Sequence, residues 1–436
     1  MKISFFTLGC KVNQYETETL KNLFFENGWT IVNNSDFADV YIINSCTVTS
    51  IGDKKARQSI HKFKLINPNS IIVITGCFPQ AFPEKMKTLE NVDIITGTVN
   101  RSNLPNIVNQ FLSDGKKIID IQPHKQGDQF ENLTIKKFSD RTRAFIKIQD
   151  GCNRYCSYCI IPKARGFIRS KPLNILQKEL NILAENGYKE IVFVGINLSS
   201  YGADLENTNI IDAVKTASNI DQIKRIRLGS IEPDLLTKDE ILKLSKEKKF
   251  CPQFHLALQS GSDSVLKRMG RHYDTNLYRD LASYIFETFE NPSITTDIMV
   301  GFPGETEDEF NESLKFIEEI NFSRVHIFPY SIRQGTRAAK MPNQITKQEK
   351  QIRVQKMKNI AQKSNQKFMK NQINKVHEIL YETKEGDVYT GYTKNYILVK
   401  TKSNSNLCSQ IKYVKIRACE DTFCIGELTD IKKTKN

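Results

Sequence analysis

The chain has 436 residues and no apolar run of membrane-spanning length. Its short apolar stretch at residues 3–8 lacks the layout of a signal peptide. A cytoplasmic protein with no membrane partner is therefore expected, and there a reducing environment keeps thiols free. Under those conditions the ten cysteines read as metal sites before disulfides. No repeat of solenoid period occurs. Acid is also scarce where base is dense. Between residues 331 and 377 stand twelve Lys or Arg, with Glu349 the sole acid, so this stretch carries +11 of the net +14. A polyanion partner suits such a balance, although a solvated helix face would look the same.

What is present alternates. Residues 1–112 place short β-branched or aromatic runs (2–8, 40–44, 71–75) between polar stretches long enough for crossover helices. That pattern predicts an N-terminal parallel α/β domain. Residues 113–143 turn polar and read as a linker. A second series supplies six strand candidates at 144–149, 190–195, 225–229, 253–259, 293–300 and 324–330, with helical patterns such as 308–320 between them. Six such units predict a (β/α)6 partial barrel over 144–370, including a trailing basic helix opened by a capping-box pattern at Thr346 and Glu349. Met357, Ala361, Ser364 and Phe368 mark one face of that helix. Short alternating runs over 371–432 predict a small five-stranded antiparallel β-barrel. The fold class is thus α/β.

Cys152, Cys156 and Cys159 directly follow the first barrel strand, where barrel enzymes place their sites. Thiolates are soft ligands for iron–sulfur clusters or zinc. Three can hold three corners of a cubic cluster and leave one iron open, whereas a structural zinc wants a fourth Cys or His that is missing nearby. Cys10, Cys46 and Cys77 each follow, at once or within two residues, an N-terminal strand candidate. Sites in an open parallel sheet form at the carboxyl ends of strands, so these three should meet and hold a second cluster. Any one of them alone would read as a buried structural thiol. Cys408, Cys419 and Cys424 lie in the terminal barrel and read as incidental thiols.

C-x3-C-x2-C with Tyr158 before the last cysteine resembles the radical S-adenosylmethionine (SAM) superfamily. The likeness narrows with Thr7-Leu8-Gly9-Cys10-Lys11-Val12-Asn13-Gln14-Tyr15-Glu16-Thr17, Asn44-Ser45-Cys46-Thr47-Val48-Thr49 and Thr75-Gly76-Cys77, which resemble the N-terminal domain of methylthiotransferases. It continues through Gly195-Ile196-Asn197, the string from Arg227 to Pro233, His255 to Gly261 and Thr296 to Thr306. The terminal barrel resembles that family's RNA-binding TRAM domain. Gly-Cys-Lys-Val-Asn is similar to the branch acting on N6-threonylcarbamoyladenosine beside the tRNA anticodon. Gly229, Ala257 and Asn197 depart from the branch's usual serine, proline and histidine.

The resemblance implies two [4Fe–4S] clusters. One, on Cys152, Cys156 and Cys159, would cleave SAM to a 5′-deoxyadenosyl radical. The other, on Cys10, Cys46 and Cys77, would offer sulfur, methylated by a second SAM, for attachment at adenine C2 of position 37. Tyr158, Gly195, Asn197, Glu232, Gln259, Asp297 and Gly301 are the candidate SAM contacts. Each has a plainer reading, Asp297 as a satisfied strand acid and Gly301 as a turn. Exposed Tyr392 and Tyr396 would stack on bases and the lysine-rich helix would hold phosphates. A monomer is expected to work with tRNA, an external flavodoxin- or ferredoxin-type electron donor and a sulfur source. The alternatives are methylthiolation of isopentenyladenosine in tRNA or of a ribosomal-protein aspartate and, more remotely, a noncatalytic metal-containing RNA-binding protein.

Overall fold

The computed structural model describes residues 1–136 and 142–430. The first sheet contains β1 (Lys2–Thr7), β2 (Thr30–Val32), β3 (Val40–Ser45), β4 (Ile71–Gly76), β5 (Ile94–Thr96) and β6 (Ile118–Asp120). Their order is β2-β1-β3-β4-β5-β6 and every pairing is parallel. β3 and β4 are buried along their whole length, as strands with helices on both faces must be. One face packs Phe5, Leu20, Phe24 and Trp29. The other packs Tyr41, Ile60, Phe63 and Phe78, with Tyr41 stacked on Phe63 at 4.4 Å. β6 falls inside the stretch read as a linker: two isoleucines suffice for a short edge strand where one side meets solvent. Residues 137–141 of that stretch lie outside the described residues.

The second series follows as β7 (Arg143–Lys147), the β8 (Gln149–Asp150) and β9 (Arg169–Ser170) pair, β10 (Glu190–Val194), β11 (Arg225–Leu228), β12 (Ser230–Ile231), β13 (Gln253–Leu256), β14 (Ser293–Val300) and β15 (Arg324–Pro329). β7-β10-β11 and β12-β13-β14-β15 are parallel runs that succeed one another around the barrel. The break falls at Gly229, between β11 and β12, where a Cβ would come within 3.1 Å of the Phe193 carbonyl oxygen. Residues of these strands, including the consecutive Ile191, Val192, Phe193 and Val194, pack into one large core with the surrounding helices.

A helix over Lys347–Lys370 buries Met357, Ala361 and Ser364. Thr346 accepts from the Glu349 N–H, but the reciprocal half of the capping box is absent because the Glu349 carboxylate turns to Arg353 at 2.6 Å. Arg353 also binds Glu305 at 2.6 Å and Lys350 donates to the Tyr330 carbonyl, so part of the basic run is spent inside the protein. Lys347, Lys358, Lys363 and Lys370 remain exposed.

β16 (Val376–Glu385), β17 (Val388–Thr393), β18 (Leu398–Lys402), β19 (Ile411–Cys419) and β20 (Cys424–Leu428) close into a barrel. Four pairings are antiparallel, and β18–β20 closes the ring in parallel. Cys419 and Cys424 are not incidental thiols: they face each other across β19 and β20 and form a disulfide. Their five-residue separation spans the connecting turn, a proximity that spacing alone leaves unmarked.

Arg225 and Arg227, fully buried on β11, dock this barrel onto the larger one. Arg225 donates to the Tyr392 carbonyl at 2.8 Å, and Arg227 to the Lys394 and Thr393 carbonyls at 2.6 and 2.7 Å. Glu190 balances both, at 3.4 and 2.7 Å. Truncating one partner leaves a buried charge uncompensated. Arg227→Ala should therefore cost about 3–5 kcal/mol. Chemical denaturation and tryptic release of the terminal barrel would read that loss, and unchanged stability and protease resistance would refute it.

Candidate active site

Cys10 and Cys46 are brought together by Gly9. Its φ is +107°, and a Cβ there would lie 2.7 Å from Cys46 Cβ and 2.9 Å from Cys46 Sγ. Only glycine fits both the backbone and the space. Cys10 is exposed at the N-cap of the helix Lys11–Glu26, Cys46 is half-buried after β3 and Cys77 is buried at the end of β4. Asn13 fastens two strand ends, donating to the Leu8 and Ser45 carbonyls at 2.8 and 3.0 Å. Burial pushes the Cys77 thiol up to about 12, against the pull of Arg165, while Cys46 and Cys10 lie close enough to add to the rise.

The second trio sits on the loop after β8. Gly151 has φ +75°, and a Cβ there would collide with the Phe167 carbonyl at 1.7 Å, so glycine is required where the loop crosses. Gln149 donates to the Asp150 and Gly151 carbonyls, and the Ser157 N–H donates to the Met269 carbonyl at 2.8 Å. Arg271 donates to Cys156 Sγ at 3.2 Å and pairs with Glu232. Burial raises the Cys152 thiol and pushes Cys159 up to about 12.

The short helix Ile161–Arg165 starts just after Cys159 and ends on the other trio. Ile160 and Ala164 pack on Cys77 and Ala81. The fully buried Arg165 donates from Nε to Cys77 Sγ at 3.2 Å and from its terminal nitrogens to Asn13 at 2.6 Å and Glu16 at 2.9 Å. Glu16 also receives Arg101 and Lys147, both at 2.8 Å, and these cations hold its carboxyl far below the carboxylate range despite burial. Among the described residues no three His, Cys, Asp or Glu side chains stand close enough to grip one metal ion. A cubic cluster spreads its corner ligands wider than a single ion does, and cations beside Cys77 and Cys156 suit thiolates. Each trio thus has the donor chemistry of cluster ligands.

The SAM candidates divide. Asn197 and Glu232 adjoin the Cys152 trio: Asn197 Nδ2 lies 3.9 Å from Cys152 Sγ, its Oδ1 is buried without a partner, and Glu232 reaches Cys156 through Arg271. Tyr158 packs edge-on to Phe302 at 6.3 Å. Gln259 adopts a left-handed φ of +67° and exchanges backbone hydrogen bonds with Asp297 and Met299. Gly195 and Asp297 instead line a cavity of about 690 Å3 that reaches Cys10. Gly301 has φ +69°, Lys350 fills the space a Cβ would occupy at 2.4 Å, and the Gly301 N–H donates to Glu305 at 2.7 Å. Tyr392 and Tyr396 are half-buried, not exposed as expected. They stack on each other at 4.7 Å under Arg143, and Tyr396 faces the cavity. Arg165 and Arg271 escaped sequence reading, as neither belongs to a spaced set of like residues. A roomier cavity of about 820 Å3, between the two barrels, has no cysteine in its wall.

Residues 2–97 match the uncharacterized protein family UPF0004 and residues 146–317 the Radical SAM superfamily. The chain is 39% identical to threonylcarbamoyladenosine tRNA methylthiotransferase MtaB of Bacillus subtilis, covering 95% of this chain and 93% of that one. This chain belongs to the radical SAM methylthiotransferase family. The Thermotoga maritima protein of the same name is 36% identical over 98% of this chain and 97% of its own length. A tRNA-2-methylthio-N(6)-dimethylallyladenosine synthase of Clostridium botulinum is 35% identical over 98% and 93%. In fold, this methylthiotransferase resembles the radical SAM methyltransferase TsrM of Kitasatospora setae, with TM-score 0.58, 12% identity and coverage of 78% and 74%. A [4Fe–4S] cluster and SAM belong to this family's chemistry. No helix among the described residues is long and apolar enough to cross a membrane.

Thiolate, not thiol, attacks alkylating agents, and a thiol near pKa 12 is ionised to about one part in 10^5 at pH 7. In iron-free protein, iodoacetamide should label exposed Cys10 promptly and Cys77 and Cys159 slowly. Equal labelling rates at all three, read by peptide mass spectrometry, would contradict the burial described.

Proposed function

We propose that this enzyme methylthiolates C2 of N6-threonylcarbamoyladenosine at position 37, beside the tRNA anticodon, using two separately held [4Fe–4S] clusters. The observation that carries the reading is the pair of cysteine trios joined by one short helix, Cys159 before its start and Arg165 on Cys77 at its end. Cys152, Cys156 and Cys159 would hold one cluster and Cys10, Cys46 and Cys77 the other. Bound there with SAM, these groups supply the radical and sulfur chemistry that an unactivated C–H requires. A noncatalytic binder would need only one such site.

The chain's own residues orient and enclose. Arg271 fixes Cys156 and Glu232 together. The unpartnered Asn197 Oδ1 is free to accept from the ammonium group of SAM. Burial raises the Glu232 carboxyl, and Arg271 and Arg154 oppose that rise. The threonylcarbamoyl substrate, rather than dimethylallyladenosine, is supported by the names of the MtaB relatives and by Lys11 beside Cys10. tRNA would lie along the exposed lysines of the Lys347–Lys370 helix. A reductant of flavodoxin or ferredoxin type and a sulfur source would act from outside.

Two results test this. Cys152→Ala should abolish both SAM cleavage and methylthio product, whereas Cys46→Ala should keep cleavage and lose product, read by nucleoside mass spectrometry. Full modification by the Cys10/Cys46/Cys77 triple alanine variant would remove the sulfur-donor role. Replacing Lys358, Lys363 and Lys370 by Gln should lower the slope of log K against log salt by about 2 for tRNA binding. An unchanged slope would place the RNA elsewhere.

A further inference from the structure

The cavity that reaches Cys10 is unusually cationic. Lys11, Arg143, Arg227 and Arg324 line it, and Asp297 is the sole acid in its wall. Two of the four cations are already matched. Arg143 pairs with Glu382 at 2.5 Å, and Arg227 with Glu190 at 2.7 Å. Asp297 is matched too, lying 3.2 Å from His255 Nε2. Lys11 and Arg324 form no salt bridge among the described residues. Lys11 Nζ lies 5.6 Å from the Phe145 ring; desolvation and the neighbouring Arg143 and Arg227 disfavour its charge, and Tyr396 and Glu190 favour it. Arg324 starts β15 with an exposed side chain, two residues before His326, which lines the same wall.

A half-open cavity that keeps two cations without a salt-bridge partner is poorly suited to an apolar guest. Bringing a hydrocarbon against them would strip water and return no charge pairing. A carboxylate guest does the reverse, because a charge-assisted hydrogen bond to a guanidinium is among the strongest available and is bidentate in geometry. Gln253, Ser230 and Tyr396 add further polar atoms to the cavity wall, and His255 is held by Thr295 at 2.9 Å.

We infer that Lys11 and Arg324 form a carboxylate subsite that selects adenines whose N6 substituent carries an acid group, placing the base toward Cys10. This deepens the functional reading above and rests on its threonylcarbamoyl substrate. An isopentenyl substituent has no acid group to offer, so the two cations discriminate rather than merely attract. Because phosphate contacts are common to all tRNAs, selectivity between substituents separates this subsite from general RNA attraction.

The test uses full-length, cluster-loaded protein and anticodon stem-loops that differ only at N6: threonylcarbamoyl, its neutral carboxamide and isopentenyl. Fluorescence anisotropy gives Kd and single-turnover assays give product. Wild type should favour the threonylcarbamoyl loop over the carboxamide. Arg324→Gln should weaken threonylcarbamoyl binding about tenfold, leave the other two loops unchanged and retain SAM cleavage. Arg324→Lys should keep most of the preference, and Lys11→Gln should erode it as Arg324→Gln does. Equal weakening on all three loops, or no weakening, would overturn the subsite alone while product on the threonylcarbamoyl loop upholds the functional reading. A wild-type protein that modifies only the isopentenyl loop would overturn both.

Discussion

The contact on which the architecture turns is the buried meeting of Glu16 with Arg165. One residue comes from the first helix of the N-terminal sheet, the other from the short helix that follows the barrel's cysteine triplet. Neither is solvated, so each requires the other, and both are completed by Arg101, Lys147 and Asn13. Burying a single ion is costly, and mutual neutralisation with full hydrogen bonding is what makes such a joint tolerable. Because Arg165 also touches Cys77, any slip between sheet and barrel would be felt at a thiol. The joint thus does two things: it fixes the relative placement of the two units and supplies a positive charge beside one trio of sulfurs.

Other ties reinforce it. Tyr15 Oη shares its one proton between the Leu133 carbonyl at 2.7 Å and the Glu179 carboxylate at 2.9 Å, carrying the first helix onto the barrel's helical layer. Arg333, from the far end of the barrel, donates to Thr47 and Asp53, just past Cys46. The terminal barrel is held by buried arginines aimed at its backbone carbonyls, and its Tyr396 completes a wall of the cavity beside Cys10. An element expected only to grip RNA therefore also shapes the cavity beside Cys10.

Much of this was legible in the residues. The buried β-branched runs announced parallel strands, and the placement of Cys10, Cys46 and Cys77 after three of them announced convergence, because parallel strands end on one edge. The string Asn13-Gln14-Tyr15-Glu16-Thr17 read as a family fingerprint; its structural meaning is that Asn13, Tyr15 and Glu16 bind residues of the barrel unit, while Thr17 binds Thr7 and Asn44 inside the N-terminal sheet. Arg165 and Arg271 stayed hidden because a lone arginine carries no periodicity. The Cys419–Cys424 pairing and the inward-facing Tyr396 depend on strand register and domain docking, which composition does not encode. At Gly301 a glycine packed against a neighbouring lysine looks, in one dimension, the same as one that a ligand requires.

Independence of the two sulfur trios is the central claim, and iron counting joined to Mössbauer spectroscopy reaches it most directly. Anaerobically reconstituted protein lacking all three thiols of the barrel loop should retain about half the iron of the intact chain, still as a cubic cluster. Loss of all cluster iron from that variant would contradict two self-sufficient sites.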